Sequence, residues 1–320
     1  MRKRSLRIAT YNLLVGGERR EREIHDVLRR INADVLALQE VTHPELARNI
    51  AHALRMELLL GAPSEPGSPH TAILSRRPVT AWENRKHPGR MLRSHLHATI
   101  ATGGATLPEL GVHCVHLAAR FAERAKGEAR RRREITAVLN DIATARQQPH
   151  VLLGDFNALS TSDEVAATAF FRRMNELRKA GLIGARPDGL VGALPHTDEP
   201  RPEMERAWRN AGVDPRLVPG IPVLPRVVGP LTVGLPVHAG LDRFLGRFIE
   251  RWTVPLLEEQ HYVDCFRRMH PRARGFTSAT WCPAARVDYI FASAEVAPQL
   301  SACEVVGSRN WPEPEVALAS

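Results

Sequence analysis

The sequence is poor in several kinds of residue that would each define a class of protein. Only 5% of its 320 residues are aromatic, and its only four cysteines are Cys114, Cys265, Cys282 and Cys303. Their wide spacing excludes a zinc motif and a disulfide scaffold, and it predicts free thiols in a cytoplasmic protein. No stretch approaches the about 18 consecutive apolar residues of a transmembrane helix. No aromatic cluster stands out, so a membrane-docking loop is not expected either.

Lysine is nearly absent from a chain that is nevertheless basic. Lys and Arg together number 44 against 35 Asp and Glu, a formal net charge of +9, yet lysine occurs only at positions 3, 86, 126 and 179. A basic surface concentrates polyanions such as nucleic acids. An arginine-rich chain with abundant Ala, Leu and Pro also reflects a GC-rich genome, so both interpretations stay open. The run Arg130 to Arg133 lies on a predicted helix, where most such runs face solvent.

Apolar periodicity divides the chain into helices and strands that are typical of an α/β protein. It predicts helices over residues 21–31, 42–54, 122–145, 162–179 and 241–259. Short apolar segments predict strands near residues 7–12, 35–40, 56–60, 71–74, 95–100, 111–117, 151–154 and 286–291. Gly103-Gly104 marks a hairpin. The basic start, Met1 to Arg4, leads into the first of these strands and not into the apolar core of a signal peptide.

Prolines concentrate in residues 181 to about 238. This segment contains many of the chain's 24 prolines, including Pro215, Pro219, Pro222, Pro225, Pro230 and Pro236. Such a density is incompatible with a long helix or a central strand. We interpret the segment as an insertion loop on the domain surface that acts as a lid or a substrate-selecting flap. A poorly ordered linker is an equal alternative.

The most informative stretch is an apolar run followed by polar residues. The run from Val151 to Leu153 predicts a buried strand, and Gly154 then allows the chain to turn. Asp155 and Asn157 lie two residues apart and can project from the strand end on one side. Such a pair can orient water or hold a metal-bound phosphate, although an Asx-rich turn after a strand has the same pattern.

Four other predicted strands carry a polar residue at one end. Asn12, Glu40 and His116 lie where a strand ends, and Asp288 lies near the start of another. A carboxylate such as Glu40 at the end of a buried strand is costly unless it is solvated, paired or bound to a metal. Each residue alone could be a turn or core residue whose polar groups are hydrogen-bonded within the protein. Five strands with the same arrangement are difficult to explain in that way.

Together the five motifs resemble the endonuclease/exonuclease/phosphatase superfamily, the metal-dependent phosphodiesterase fold of pancreatic-type deoxyribonuclease, exonuclease III-like enzymes, sphingomyelinases and inositol-phosphate phosphatases. The motifs are Thr10-Tyr11-Asn12-Leu13, Leu38-Gln39-Glu40-Val41, Val115-His116-Leu117, Gly154-Asp155-Phe156-Asn157 and Arg286-Val287-Asp288-Tyr289, with secondary matches at Thr71 to Pro78 and Gly275 to Thr277. The resemblance implies one α/β domain over residues 1–320, a four-layered α/β/β/α sandwich of two face-packed mixed sheets flanked by helices. Its active site would lie at one end, between the sheets.

The resemblance also implies a hydrolase site that uses a divalent cation. Glu40 is expected to bind Mg²⁺ (or Mn²⁺), because a hard cation suits an oxygen-only site with one or two carboxylates and several waters. Asn12 is expected to support the metal or its water shell. Asp155 would orient or deprotonate the attacking water. Asn157 and His116 would bind the phosphate of the substrate, and His116 would also stabilise the transition state.

Asp288 matches the family carboxylate that orients a catalytic histidine, as an Asp does in a catalytic triad. In the family this histidine follows the last strand in a Ser-Asp-His element, and Ser320 lies at the spacing of that serine. We therefore expect that the Asp, the His and a final strand are missing from this sequence. The chain as written would then be nearly inactive, whereas an extended form would be active. His113, His196 and His238 are substitutes that the spacing does not support.

These residues predict a divalent-metal-dependent phosphoesterase that hydrolyses phosphodiester or phosphomonoester bonds by in-line attack of water. The basic balance weakly favours DNA or RNA as the substrate of a monomeric enzyme. The alternative is a catalytically impaired or dead module that binds phosphate or nucleic acid, as the loss of the terminal Asp-His would produce. A plain structural α/β protein would require every polar strand end to be a coincidence.

Overall fold

Two mixed sheets form the centre of the chain in the computed structural model, which describes residues 5–119, 123, 125–144, 148–186, 190–194, 202–225, 236–278 and 281–306. The first sheet contains β1 (Ile8–Asn12), β2 (Val35–Val41), β3 (Glu57–Gly61) and β4 (His70–Ser75), in the order β1-β2-β4-β3. Strands β1 and β2 are parallel, whereas β4 pairs antiparallel with both β2 and β3.

The second sheet has six strands and also mixes the two directions. It contains β5 (Val79–Arg85), β6 (His95–Ala101), β7 (Glu109–His116) and β8 (His150–Asp155). Further along the chain, β9 (Ile183–Ala185), β10 (Leu190–Ala193) and β11 (Leu224–Pro225) form a separate small sheet, and β12 (Val263–Asp264) and β13 (Asp288–Ala292) complete the large one. The order is β12-β13-β8-β7-β6-β5, in which only the β7–β8 pair is parallel.

Helices cover the outer faces of both sheets. The helices among the described residues are α1 (Glu21–Ile31), α2 (Pro44–Leu54), α3 (Ala125–Thr144), α4 (Ala167–Lys179), α5 (Pro202–Asn210), α6 (Ala239–Gly246), α7 (Thr253–Glu259) and α8 (Cys265–Met269), of which α1, α2, α3 and α7 cover the two large sheets. Leu36 and Leu38 of β2 pack with α1 and α2, whereas Val35 and Ala37 pack against the six-stranded sheet. Helices α3 and α7 cover the other face of that sheet. This order of layers confirms the predicted α/β/β/α sandwich.

The apolar pattern located most elements and missed those with little apolar content. Strand β5 was not predicted, because it is an edge strand that pairs only with β6 and is largely exposed. The predicted helix 162–179 begins at Ala167, and the predicted helix 241–259 is divided into α6 and α7. The hairpin at Gly103-Gly104 is confirmed by the antiparallel pairing of β6 with β7. None of the described helices combines the length and apolarity that crossing a membrane requires.

The proline-rich segment 181–238 carries more regular structure than the loop predicted from its sequence. Its described residues include α5 and the small sheet β9–β11. Pro202 and Pro215 begin helical turns and Pro225 lies on an edge strand, which are positions that proline tolerates. Trp208 of α5 is buried in a cluster that also contains Leu177 of α4. This apolar anchor explains the regular structure, whereas Pro230 lies outside the described residues.

A buried arginine joins three separate segments behind the sheet edge. The Arg286 guanidinium donates to Asp163 at 2.9 and 3.1 Å and to Asp264 at 2.9 Å. The Tyr289 hydroxyl donates to Asp163 at 3.0 Å, and the guanidinium lies 4.3 Å from the centre of the Tyr289 ring. Arg267 donates to Asp163 as well, at 2.6 Å. The network therefore fixes the loop after β8 and the start of β13 relative to each other.

A histidine cluster lies on the outer face of the six-stranded sheet. The Nδ1 atom of His95 lies 2.9 Å from Asp141 Oδ2, and its Nε2 atom lies 2.9 Å from His113 Nδ1. The His97 ring stacks on His113 with 4.2 Å between centroids, and His150 contacts the same ring edge-on. Burial lowers the pKa of all four imidazoles, to about 4 for His97. The folded protein therefore favours neutral rings at this cluster.

Replacing Arg286 with methionine is expected to lower the free energy of unfolding by about 3–5 kcal/mol, because buried Asp264 would lose its cation and buried Asp163 would keep only Arg267. Denaturant unfolding measures this change. Arg274→Met is the matched control, since Arg274 pairs with Glu164 at side-chain exposures of 53% and 58% and should cost less than about 1 kcal/mol. Equal effects of the two substitutions would contradict the assigned role of the network.

The histidine cluster should make stability decrease in mild acid. Unfolded histidine binds a proton below about pH 6.5, whereas folded His97 does so only near its pKa of about 4. The unfolded state therefore binds more protons between these values, and the free energy of unfolding falls as the pH falls. His97→Phe should reduce this slope by about 1.4 kcal/mol per pH unit, close to one proton. Denaturant unfolding between the two pH values, with the exposed His52→Asn as control, would show an unchanged slope if the assignment is wrong.

Candidate active site

The two sheets bring the predicted polar residues to one common edge. Asn12 ends β1 and His116 and Asp155 end the parallel strands β7 and β8, where the Cα atoms of the last two are register partners. Asp288 begins the antiparallel β13 directly opposite Asp155. Carboxyl ends of parallel strands and the amino end of an antiparallel neighbour meet at the same sheet edge. The sequence prediction that these side chains share one location is consistent with this topology.

Glu40 reaches the same edge because β2 contains a bulge. Between Leu38 and Val41 the register with β4 shifts, and Glu40 has a left-handed backbone with φ of +56°. A bulge of this kind re-aims a side chain out of the regular pleat. Val15, in the loop after β1, donates its backbone N–H to Glu40 Oε2 at 2.6 Å. The carboxylate is thus held in a fixed direction while one fifth of its surface stays exposed.

Asn12 connects the two sheets through its side-chain amide. Its Nδ2 donates to Glu40 Oε1 at 3.2 Å and to Asp155 Oδ2 at 2.9 Å. Its Oδ1 accepts the backbone N–H of Leu14 at 2.8 Å, which fixes the orientation of the amide. In this arrangement Asn12 positions two carboxylates and turns its own oxygen toward the backbone.

Asp155 is a buried carboxylate beside a second acidic group. Its Oδ1 accepts the backbone N–H of Asn157 at 2.8 Å. Burial raises the pKa of Asp155 to about 6, and the neighbouring charge of Glu40 adds to the increase, whereas the hydrogen bond from Asn12 opposes it. A carboxylate whose pKa lies near neutrality can accept a proton from water more readily than an ordinary aspartate.

The His116 ring lies between the two carboxylates without a hydrogen bond. Its Nε2 atom lies 3.7 Å from Asp155 Oδ2 and 3.9 Å from Glu40 Oε1, and neither ring nitrogen has a hydrogen-bond partner among the described residues. Burial lowers the pKa of His116 well below its usual value, so the ring is neutral and carries one N–H donor. Because a buried polar group without a partner is costly, this ring is suited to a ligand.

Gly154 lies inside strand β8, paired with Val115 and Tyr289, at a position that only glycine permits, so the turn predicted there is wrong. Gly154 has φ of +142°, and a Cβ atom at this position would lie 1.9 Å from the carbonyl oxygen of Val115. Asn157 itself is left-handed, with φ of +47°, and its Nδ2 donates to the carbonyl of Leu117 at 3.1 Å. One amide N–H of Asn157 is therefore engaged by the loop after β7, and the other remains for a ligand.

Asp288 is aligned by the predicted Gly275-Phe276-Thr277 motif. The Thr277 hydroxyl oxygen accepts the backbone N–H groups of Val287 and Asp288 at 2.9 and 3.0 Å. The candidate substitute histidines lie elsewhere: His113 belongs to the histidine cluster and His238 accepts the Gly240 N–H at the start of α6. His196 and the residues after position 306 are outside the described part of the chain.

Two supporting arginines were not identified from the sequence. Arg20 is buried and donates to the carbonyls of Leu13 and Leu14, at 2.5 and 2.7 Å, in the loop that positions Glu40. Arg131 is buried as well and donates to the Ala118 carbonyl at 3.0 Å, so the solvent-facing interpretation of the run Arg130 to Arg133 is wrong at this position. In an arginine-rich chain nothing in the sequence distinguishes these two residues from exposed ones.

The donor chemistry of this edge fits a hard divalent cation. Glu40 and Asp155 offer carboxylate oxygens, and a cation would relieve both the burial that chiefly raises the pKa of Asp155 and the smaller effect of the neighbouring Glu40 charge. Within the described residues no group of three or more His, Cys, Asp or Glu side chains is arranged to hold a metal. The donor set is thus one or two carboxylates to be completed by water, an arrangement in which Mg²⁺ commonly binds.

Comparisons with solved structures find the same fold in distant proteins. An AP endonuclease from Archaeoglobus fulgidus is 13% identical, with 97% of this chain and 95% of that chain covered and a TM-score of 0.54. An endonuclease/exonuclease/phosphatase from Beutenbergia cavernae is 20% identical, with coverage of 91% and 65% and a TM-score of 0.52. No curated protein matches the sequence.

The sequence matches a family model over nearly its full length. The match covers residues 9–309, which include every strand of both large sheets except the first residue of β1. The model describes the endonuclease/exonuclease/phosphatase family, whose members are hydrolases that act on phosphodiester bonds. Because this match extends over far more than half of the sequence and includes all five strand-end motifs, the chain belongs to the endonuclease/exonuclease/phosphatase family.

Proposed function

We propose that the chain is a divalent-metal-dependent phosphoesterase that hydrolyses phosphodiester or phosphomonoester bonds. The observation that carries the proposal is the Asn12 amide, which holds Glu40 and Asp155 on either side of it, next to the unbonded ring of His116. This arrangement combines a cation-binding carboxylate, a water-activating carboxylate and a neutral donor at one sheet edge. Family membership supports the same class of reaction.

Each residue then has a role that its geometry favours. Glu40 would hold Mg²⁺ or Mn²⁺, with Asn12 keeping its carboxylate in position. When bound, the cation would polarise the phosphoryl oxygens and offset the charge that develops on them. Asp288, aligned beside Asp155 on β13, would keep its proposed part in orienting a catalytic histidine.

The proton movements follow from the pKa directions. Asp155 orients the attacking water and accepts its proton as the new phosphorus–oxygen bond forms and the bond to the leaving oxygen breaks. Neutral His116 donates its N–H to a phosphate oxygen without losing the proton, and the free N–H of Asn157 donates to the same group. Donors that are already aimed at the site stabilise charge without reorganisation.

Nucleic acid is the substrate class that the charge favours. The chain carries a formal net charge of +9, which attracts a polyanion and increases its association rate. Leu217 of the proline-rich segment packs against Leu14, two residues after Asn12, and Arg216 donates to Glu23 and to the carbonyl of Arg19 at 2.8 Å each. We propose that this segment selects the substrate, and that the protein acts as a cytoplasmic monomer.

Hydrolysis of bis(p-nitrophenyl) phosphate and of plasmid DNA should require Mg²⁺ or Mn²⁺ and stop when a chelator is added. Asp155→Asn should lower kcat by about 10²-fold or more, because the base that activates water is lost. Glu40→Gln should raise the metal concentration for half-maximal activity by at least about tenfold. Glu57→Gln, an exposed carboxylate at the start of β3, is the matched control and should change neither value.

Two results would contradict this proposal. Metal-independent hydrolysis, or full activity of Asp155→Asn, would exclude the roles assigned to these carboxylates. Metal and DNA binding without hydrolysis of either substrate would instead identify a binding module, and a chain extended by a terminal Ser-Asp-His strand would then be compared with this one.

A further inference from the structure

The exposed large apolar side chains are concentrated on one short stretch of the surface. Seven such residues are exposed in the described part of the chain, and five of them lie between positions 237 and 252. These five residues, which we name the aromatic patch, are Val237 (45% exposed), Phe244 (52%), Phe248 (62%), Ile249 (36%) and Trp252 (41%). The other two, Val15 and Trp82, lie on different elements. Apolar side chains grouped in this way mark a docking surface, whereas isolated ones are ordinary.

The backbone that carries the aromatic patch is firmly held. Asp242 Oδ1 accepts both the backbone N–H and the hydroxyl of Thr168 at 2.7 Å. Arg251 donates to the carbonyls of Ser160 and Asp163 at 2.5 and 2.8 Å. Glu128 accepts the Trp252 N–H at 2.8 Å. Side chains on such an anchored backbone are exposed because the fold presents them to solvent.

Two cations accompany the apolar side chains. Arg243 and Arg247 are exposed, one residue before Phe244 and Phe248 respectively, and neither forms an ion pair with a described residue. Both arginines line an open cavity of about 460 Å³, together with Arg251, Arg274 and the acidic Asp163, Glu164 and Asp242. Exposed arginines beside apolar side chains are complementary to a partner whose interior is apolar and whose outer layer carries negative charge.

The chemistry of the aromatic patch distinguishes between two anionic partners. Base stacking in single-stranded nucleic acid needs free ring faces, but Phe244 and Phe248 pack edge to face against each other at 5.2 Å. Val237 and Ile249 have no ring at all. A lipid interface accepts aliphatic and aromatic side chains alike, while arginine side chains extend to the headgroup phosphates.

We propose that the aromatic patch, with Arg243 and Arg247, docks the protein on the surface of an anionic phospholipid membrane. This binding surface is separate from the proposed catalytic residues and does not depend on hydrolysis. It lies close to them along the fold, because Arg251 holds Ser160, three residues after Asn157. Docking would therefore bring the candidate active site to a membrane-bound substrate or to a substrate concentrated there.

Vesicle co-sedimentation tests the proposal directly. The full chain should bind vesicles of phosphatidylcholine with one quarter phosphatidylglycerol and bind pure phosphatidylcholine weakly, and high salt should weaken binding. The double variant Phe244→Ser/Phe248→Ser and the double variant Arg243→Gln/Arg247→Gln should each lose about tenfold or more in vesicle affinity. Trp82→Ser, an exposed aromatic on the edge strand β5, is the matched control and should bind like the original chain.

A second readout excludes misfolding as the cause of lost binding. Tryptophan fluorescence should shift to shorter wavelength on vesicle addition, and Trp252→Phe should remove most of this shift. Each variant should keep the circular dichroism spectrum and the hydrolytic or metal-binding activity of the original chain. Loss of binding with these properties intact supports the docking role whether or not the chain hydrolyses phosphodiesters.

Three outcomes would overturn the proposal. The first is equal binding by the Phe244→Ser/Phe248→Ser variant and the original chain. The second is loss of binding to oligo(dT) in that variant with no vesicle binding by the original chain, which would make the aromatic patch a nucleic-acid surface. The third is vesicle binding that appears only after residues 226–235 are replaced by a Gly-Ser linker, which would make that segment the natural cover of the aromatic patch.

Discussion

A single amide group joins the two sheets of this protein at the point where its polar residues meet. Asn12 donates to Glu40 in its own sheet and to Asp155 in the other, and the Leu14 N–H fixes its oxygen. The two carboxylates repel each other, and the shared donor holds them at a fixed separation despite that repulsion. His116, at the end of β7 and paired with Asp155, lies within 4 Å of both carboxylates. The site is therefore a property of how the sheets pack and not of either sheet alone.

The direction of the strands explains why one amide is sufficient. The parallel pairs β1–β2, at one edge of the first sheet, and β7–β8, at the centre of the second, deliver their carboxyl ends to the same side, and the antiparallel β13 adds Asp288 there. Behind this edge the Arg286 network fixes the loop after β8 and the start of β13. The core between the sheets is apolar, so the polar groups are confined to its end. The apolar core between the sheets thus supports a small, highly polar site at its end.

Short stretches of sequence were sufficient to predict the features that neighbouring residues alone determine. An apolar run that ends in a polar residue located Asn12, Glu40, His116 and Asp155 at strand ends, periodicity located most helices and strands, and the layers of the sandwich were predicted from the family resemblance. Tertiary contacts decided the rest: the bulge at Glu40, the distant partners of Arg286 and the exposure of Phe244 and Phe248. The four-residue spacing of these two rings was present in the sequence, but such spacing is more typical of a core-facing helix, and the expectation that no aromatic surface exists was wrong. Only the fold shows that no helix or sheet among the described residues covers them.

The loop that follows His116 also takes part in a longer hydrogen-bond network that reaches the aromatic patch. Glu128 accepts the backbone N–H of Trp252 and, at its other oxygen, the guanidinium of Arg131. Arg131 donates in turn to the Ala118 carbonyl, and the preceding carbonyl, that of Leu117, accepts the amide of Asn157. A continuous series of hydrogen bonds, joined by one peptide link, therefore runs from the turn that carries Trp252 to Asn157 in the candidate active site. The turn that carries Trp252 and the loop that engages Asn157 are thus parts of one hydrogen-bonded unit.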